Sequence, residues 1–184
     1  MKKPTRSCTD PHPALMPTAS YRGGRVILWL AVILLAVWAL GAEPAAAGGQ
    51  GTVKPTDRDK CPVCGMFVFK YPDWTAGVLF KDGTYAVFDG SKDLYKFLLD
   101  IKQYAPARGQ ADIDRFFVSD YYSVKQIDGR AAFYVIGSDI FGPMGKELIP
   151  FEQETDAREF LKDHKGKKVL RYREITPEVL KALE

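Results

Sequence analysis

A single hydrophobic pattern runs through this chain twice. In the first pass, WTAGVLF (74–80) and TYAVFD (84–89) are apolar-aromatic runs around Asp82 and Gly83, the composition of a β-hairpin. GSKDLYKFLLDIKQY (90–104) then places Leu94, Phe97, Leu98 and Ile101 at helical spacing on one face. Ser91 stands at its start with Asp93 in the first turn, and Pro106 stops it. RFFVSDYYSV (115–124) reads as a strand. In the second pass, AAFYVIGS (131–138) and KELIPF (146–151) form a strand pair, and ETDAREFLKDHKG (154–166) forms a helix closed by Gly166. KKVLRYREI (167–175) is a strand, and TPEVLKALE adds a terminal helical turn or two. Phe88, Asp93, Phe97 and Leu98 correspond, at an offset of 63, to Phe151, Asp156, Phe160 and Leu161. Chance alignment of aromatics on two amphipathic helices is the alternative to duplication, which is the reading followed. Duplication predicts an α+β domain over 61–184 with two similar β-β-α-β halves, roughly 61–125 and 126–184.

The N-terminus does not belong to this pattern. Residues 26–40, VILWLAVILLAVWAL, are fifteen apolar residues preceded by Arg22 and Arg25 and followed by GAEPAAAG. A charged start, an apolar run and a small-residue end describe a secretory signal peptide over 1–47, cut near Ala47. The run is short of the ~20 residues that span a bilayer, although an uncleaved anchor is the alternative. The cysteine nearest the run, Cys8, lies upstream of it and supplies no lipid acceptor. GGQGTVKPTDRDK (48–60) reads as a flexible leader. Location is therefore expected to be periplasmic or otherwise extracytoplasmic.

Removing 1–47 takes five bases and two acids from totals of 26 and 23, leaving 21 of each and no net charge. Nothing then argues for nucleic-acid or acidic-membrane binding. The same step leaves only Cys61, Cys64, Met66, Met144 and His164 as sulfur or imidazole donors. Both methionines sit in Gly-containing turns, CPVCGM and FGPMGK, rather than scattered through apolar segments as core fillers.

CPVCGM (61–66) admits four readings. A disulfide closing so small a loop is a weak stabiliser. Thiol–disulfide exchange wants the first cysteine at a helix N-terminus, and FVFKYPDW is no helix start. Structural zinc wants four ligands, and two cysteines with one distant histidine fall short unless carboxylates join. Monovalent copper is soft and takes thiolate and thioether. Cys64 and Met66, at i and i+2 of an extended segment, would point the same way, with Met144 as a third sulfur. The residues alone leave an oxidoreductase using Cys61 and Cys64 open beside metal binding.

Read together, these segments resemble the nitrous oxide reductase accessory protein NosL family. CPVCGM, FVSDYYS (117–123), IDGRAAFYVIGSDI (127–140) and GPMGKELIPF (142–151) fall in that family's order across nearly the whole chain after residue 47. The resemblance implies a fold shared with the organomercurial lyase group and a non-enzymatic, monovalent-copper-binding metallochaperone. Its implied partner is nitrous oxide reductase or the ABC-type complex that matures it. The signature Cys and Met carry over onto Cys64 and Met66, the downstream methionine onto Met144, and Cys61 is the less secure member. Family members are often lipoproteins, which this sequence does not support. A carbon–mercury lyase activity rests on fold analogy alone. His164 is expected to be a solvated helix-end residue, and Asp120 a strand residue or a support for the site.

Overall fold

The computed structural model describes residues 52–184, so the expected signal segment and the start of the leader lie outside the described residues. β1 (Ala76–Phe80) and β2 (Tyr85–Phe88) pair antiparallel across the Asp82-Gly83 turn, with Ala76 opposite Phe88. α1 (Ser91–Leu99) follows and buries Leu94, Phe97 and Leu98. The helix does not run on to 104. Asp100 leaves helical geometry, and its side chain accepts the Gln103 N–H to begin a separate short turn, α2 (Ile101–Tyr104).

β3 (Ile113–Ser119) pairs with β1 on the edge opposite β2. It ends five residues before the expected 124, and the cause is Asp120. Its carboxylate takes the N–H and O–H of Ser123, and Val124 adopts φ 58°. This local side-chain capture outcompetes the ladder. The chain turns back into β4 (Gln126–Asp128), which the sequence reading missed. The first sheet therefore runs β2-β1-β3-β4, and the change of sheet falls after Asp128.

The second half repeats the plan. β5 (Phe133–Ile136) is followed by a small ribbon, β6 (Phe141–Gly142) and β7 (Gly145–Lys146), and then β8 (Ile149–Phe151). α3 (Glu154–Asp163) and β9 (Lys168–Arg171) complete it. Its sheet runs β8-β5-β9, all antiparallel. In both halves the first strand is central, flanked by the second and third, which is the two-fold β-β-α-β plan expected from the sequence. The ribbon inserted between β5 and β8 is what distinguishes the second copy, and it carries Met144.

One buried cluster draws Val78, Phe88, Phe97 and Phe116 from the first half and Tyr134, Leu170 and Leu180 from the second. Val135, Ile149, Phe151, Ala157 and Phe160 form a smaller one under α3. The final helix α4 (Pro177–Lys181) packs against α1 and buries Leu180, and Leu183 just beyond it is buried too. The expected flexible leader is tied down within the described residues: the Gln126 amide pairs with the Val53 main chain, and Asp59 accepts the Tyr85 hydroxyl. Among the described residues, no helix is long and apolar enough to cross a membrane.

Candidate metal centre

CPVCGM is a tight loop. A bridge between Lys60 and Phe67 closes it, Cys61 N–H donates to Met66 O at 2.8 Å, and Gly65 N–H donates to Cys61 O at 2.8 Å. The turn places Gly65 at φ 80°, a conformation that glycine adopts without steric cost. The segment is thus not extended, and alternation along a strand does not describe how Cys64 and Met66 are related. Two short 3-10 turns, Val68–Lys70 and Pro72–Trp74, follow in place of an α-helix.

The loop lays both thiols against the N-terminus of α1. Cys61 is buried, and its Sγ–H donates to Asp93 Oδ2 at 3.3 Å. Cys64 is half-buried, and its Sγ–H donates to Asp89 Oδ1 at 3.1 Å. The two cysteines are free thiols. The four ligand atoms of Cys61, Cys64, Asp89 and Asp93 lie within 4.8 Å of one another. Both acids are buried, one just before the helix and one in its first turn, where its dipole favours negative charge. The second Asp89 oxygen, Oδ2, is buried with no hydrogen-bond partner among the described residues. A carboxylate oxygen left so is costly unless a cation or proton meets it.

Electrostatics keep the thiols protonated in this arrangement. Burial raises the Cys61 thiol far above its ordinary range, and the charges of Asp93 and Asp89 push the same way. Burial pushes Cys64 up to about 12, with Asp89 and Asp93 accepting from its protonated form. Main-chain donors oppose this: the N–H groups of Cys64 and Val63 face the Cys61 sulfur, and that of Met66 faces Cys64. Those donors suit a thiolate once a metal supplies the countercharge. A catalyst of disulfide exchange needs a lowered thiol pKa, so the arrangement runs against that use.

Met66 lies half-buried in the loop with the cysteines. Met144 sits in the turn of the β6–β7 ribbon with its side chain exposed, and its carbonyl accepts the Lys92 ammonium at 2.8 Å. The ribbon is thereby brought to the same end of α1 that holds Asp93. His164 is only half-exposed: its ring lies 4.3 Å from that of Phe160, and Nδ1 is 3.2 Å from Asp139. Asp120 also accepts the Glu152 N–H, which makes it a tie between the halves.

Sequence reasoning missed Asp89 and Asp93 as site residues. They are 25 and 32 positions from their thiol partners, and in linear order Asp89 reads as the end of a strand run and Asp93 as a first-turn acid of the helix. Their presence also answers the objection to zinc: two thiols and two carboxylates make a four-donor set that such an ion accepts. The sulfur pair equally suits monovalent copper.

The NosL family model matches residues 52–180. The copper-binding lipoprotein NosL of Stutzerimonas stutzeri is 31% identical over 130 residues, which cover 67% of this chain and 65% of that protein. The chain thus spans just under two thirds of that relative's length. The crystal structure of the copper chaperone NosL from Shewanella denitrificans superimposes with a TM-score of 0.58 at 26% identity, covering 69% of this chain and 96% of that one.

Proposed function

This chain belongs to the NosL family, and from that premise we propose that it carries monovalent copper outside the cytoplasmic membrane for metal-centre assembly in nitrous oxide reductase. The receiving partner in this reading is that enzyme or its ABC-type maturation complex. The relatives named as a copper chaperone and a copper-binding lipoprotein support carriage of copper and extracytoplasmic placement. The observation that carries the reading is the convergence of Cys61 and Cys64 on one buried acidic pair.

Half-buried Cys64 is the sulfur through which copper enters and leaves, and buried Cys61 lies behind it. In the metal-free protein each thiol keeps its proton and donates it in a hydrogen bond to a carboxylate, Cys61 to Asp93 and Cys64 to Asp89. Ligation as thiolates displaces those protons to solvent. Met66 from the same loop and Met144 from the ribbon supply thioethers, uncharged donors that hold a soft ion without making it hard to release.

Competition titration against a chromogenic copper chelator, anaerobic and reducing, tests this. Wild type is expected to bind one ion, Cys64→Ser to lose binding, and Met144→Leu to weaken it while keeping the fold. Equal binding by Cys64→Ser and wild type rejects the site. The carboxylates favour a second reading, a site for a zinc-like divalent ion, which elemental analysis of the purified protein separates from the first. Turnover matching thioredoxin in insulin reduction would instead support the oxidoreductase.

A further inference from the structure

The ribbon that carries Met144 has little to hold it in place by itself. β6 and β7 pair through two residues each, Phe141 opposite Lys146 and Gly142 opposite Gly145. Isolated two-stranded hairpins are at best marginal in water, and this one leaves Phe141 and Met144 exposed. Its position relative to α1 depends on something else.

That something is a reciprocal pair of contacts through Lys92 and Glu147, both buried. Glu147 directly follows the ribbon, and its Oε1 accepts the Lys92 N–H and, at 2.9 Å, the Leu148 N–H. Lys92 is the second residue of α1, so its N–H is among the four that a helix leaves unbonded at its start. Gly90, at the N-cap, has no side chain to satisfy it, and the cap comes from 55 residues downstream. A Cβ on Gly90 would collide with Glu147 Oε2, so the close approach needs glycine there. The return contact runs the other way: Lys92 Nζ donates to Met144 O at 2.8 Å and to Leu183 O at 3.4 Å. The helix main chain is thus held by a ribbon side chain, and the ribbon main chain by a helix side chain. The next residue along α1 is Asp93, the acceptor of the Cys61 thiol.

We infer that Glu147 and Lys92 are positioning residues of the metal centre, clasping the Met144 turn to the start of α1 so that ribbon and thiol–carboxylate cluster act as one site. This rests on the copper reading above and adds to it residues that touch no metal. A cap that served stability alone would lower the melting point without coupling to Met144. A positioning role makes the effects of the clasp and of the thioether depend on each other.

The test is the anaerobic copper competition on the full chain, with circular dichroism to confirm folding. The variants are Met144→Leu, Glu147→Ala, Lys92→Leu, Glu147→Gln and the doubles Met144→Leu/Glu147→Ala and Met144→Leu/Lys92→Leu. Met144→Leu and Glu147→Ala are each expected to weaken copper binding about tenfold, the scale of removing a residue that orients ligands. Each double variant should be no weaker than either of its single ones. Glu147→Gln keeps a carbonyl acceptor for the Lys92 N–H and should stay within about threefold of wild type. Should Glu147→Ala fail to fold, Lys92→Leu carries the test, with the same expected loss and the same lack of additivity in its double with Met144→Leu. Additive losses, or wild-type affinity in Glu147→Ala and Lys92→Leu, overturn the clasp while leaving the copper reading intact provided Cys64→Ser abolishes binding. Equal binding by wild type and Cys64→Ser overturns both.

Discussion

The Cys64 sulfur lies 3.1 Å from one oxygen of Asp89, while the other oxygen of that carboxylate is buried without a partner among the described residues. A group held in this way is set for a cation at the expense of the empty protein. Asp89→Asn is therefore expected to separate copper affinity from stability. Exchanging the buried charge for an amide whose NH2 finds no acceptor there should leave the metal-free protein within about 1 kcal/mol of wild type in urea unfolding. Copper affinity should fall about tenfold or more in the chelator competition. Loss of stability with unchanged affinity would make Asp89 a structural residue.

Proton release reports how many thiols bind. With Cys64 raised to about 12 and Cys61 higher, both are protonated at neutral pH. Ligation by both displaces two protons, so apparent affinity should climb by up to about a hundredfold per pH unit. A pH indicator in weakly buffered solution should record two protons per ion for wild type and one for Cys61→Ser. A single proton from wild type would leave Cys61 outside the coordination sphere.

Gly90→Ala separates space from backbone conformation. Gly90 has φ −177°, extended geometry that any residue adopts, so conformation alone would make alanine neutral or stabilising by ~0.4–1 kcal/mol. The new Cβ meets Glu147 Oε2 instead. The expected outcome is destabilisation by about 1–3 kcal/mol, as for overpacking, read from the urea midpoint.

Glu147 makes the metal-free protein less stable as pH rises. Burial pushes its carboxyl up to about 8 from an ordinary value of 4.5, against the opposing N–H groups of Leu148 and Lys92 and the Lys92 charge. Below 4.5 the group is protonated whether the chain is folded or not, and its burial carries no charge penalty. Between 4.5 and about 8 the folded state holds the proton more tightly, so stability declines across that window and levels off above it. Glu147→Gln should flatten the decline in urea midpoints measured from pH 5 to 8.5. An unchanged slope would assign it to other groups.

Periodicity determined the architecture because it is local. Leu94, Phe97 and Leu98 on one helical face, and the strand pair ahead of them, follow from spacing along the chain, and the same spacing repeats through Phe151, Phe160 and Leu161. The two cysteines and two methionines after residue 47 likewise stood out by count and by their glycine-rich settings. What spacing does not encode is which side chain captures the backbone. Asp100 and Asp120 ended a helix and a strand early through hydrogen bonds that compete with the regular ladder. Nor does it encode contacts at long range. Asp89 and Asp93 became partners of Cys64 and Cys61, and Glu147 of Lys92, only when the CPVCGM loop and the β6–β7 ribbon folded back on one helix end. The physical reason is burial: an Asp at a helix start is ordinary in solvent, and becomes a metal-site candidate only where packing removes water and sets thiols against it.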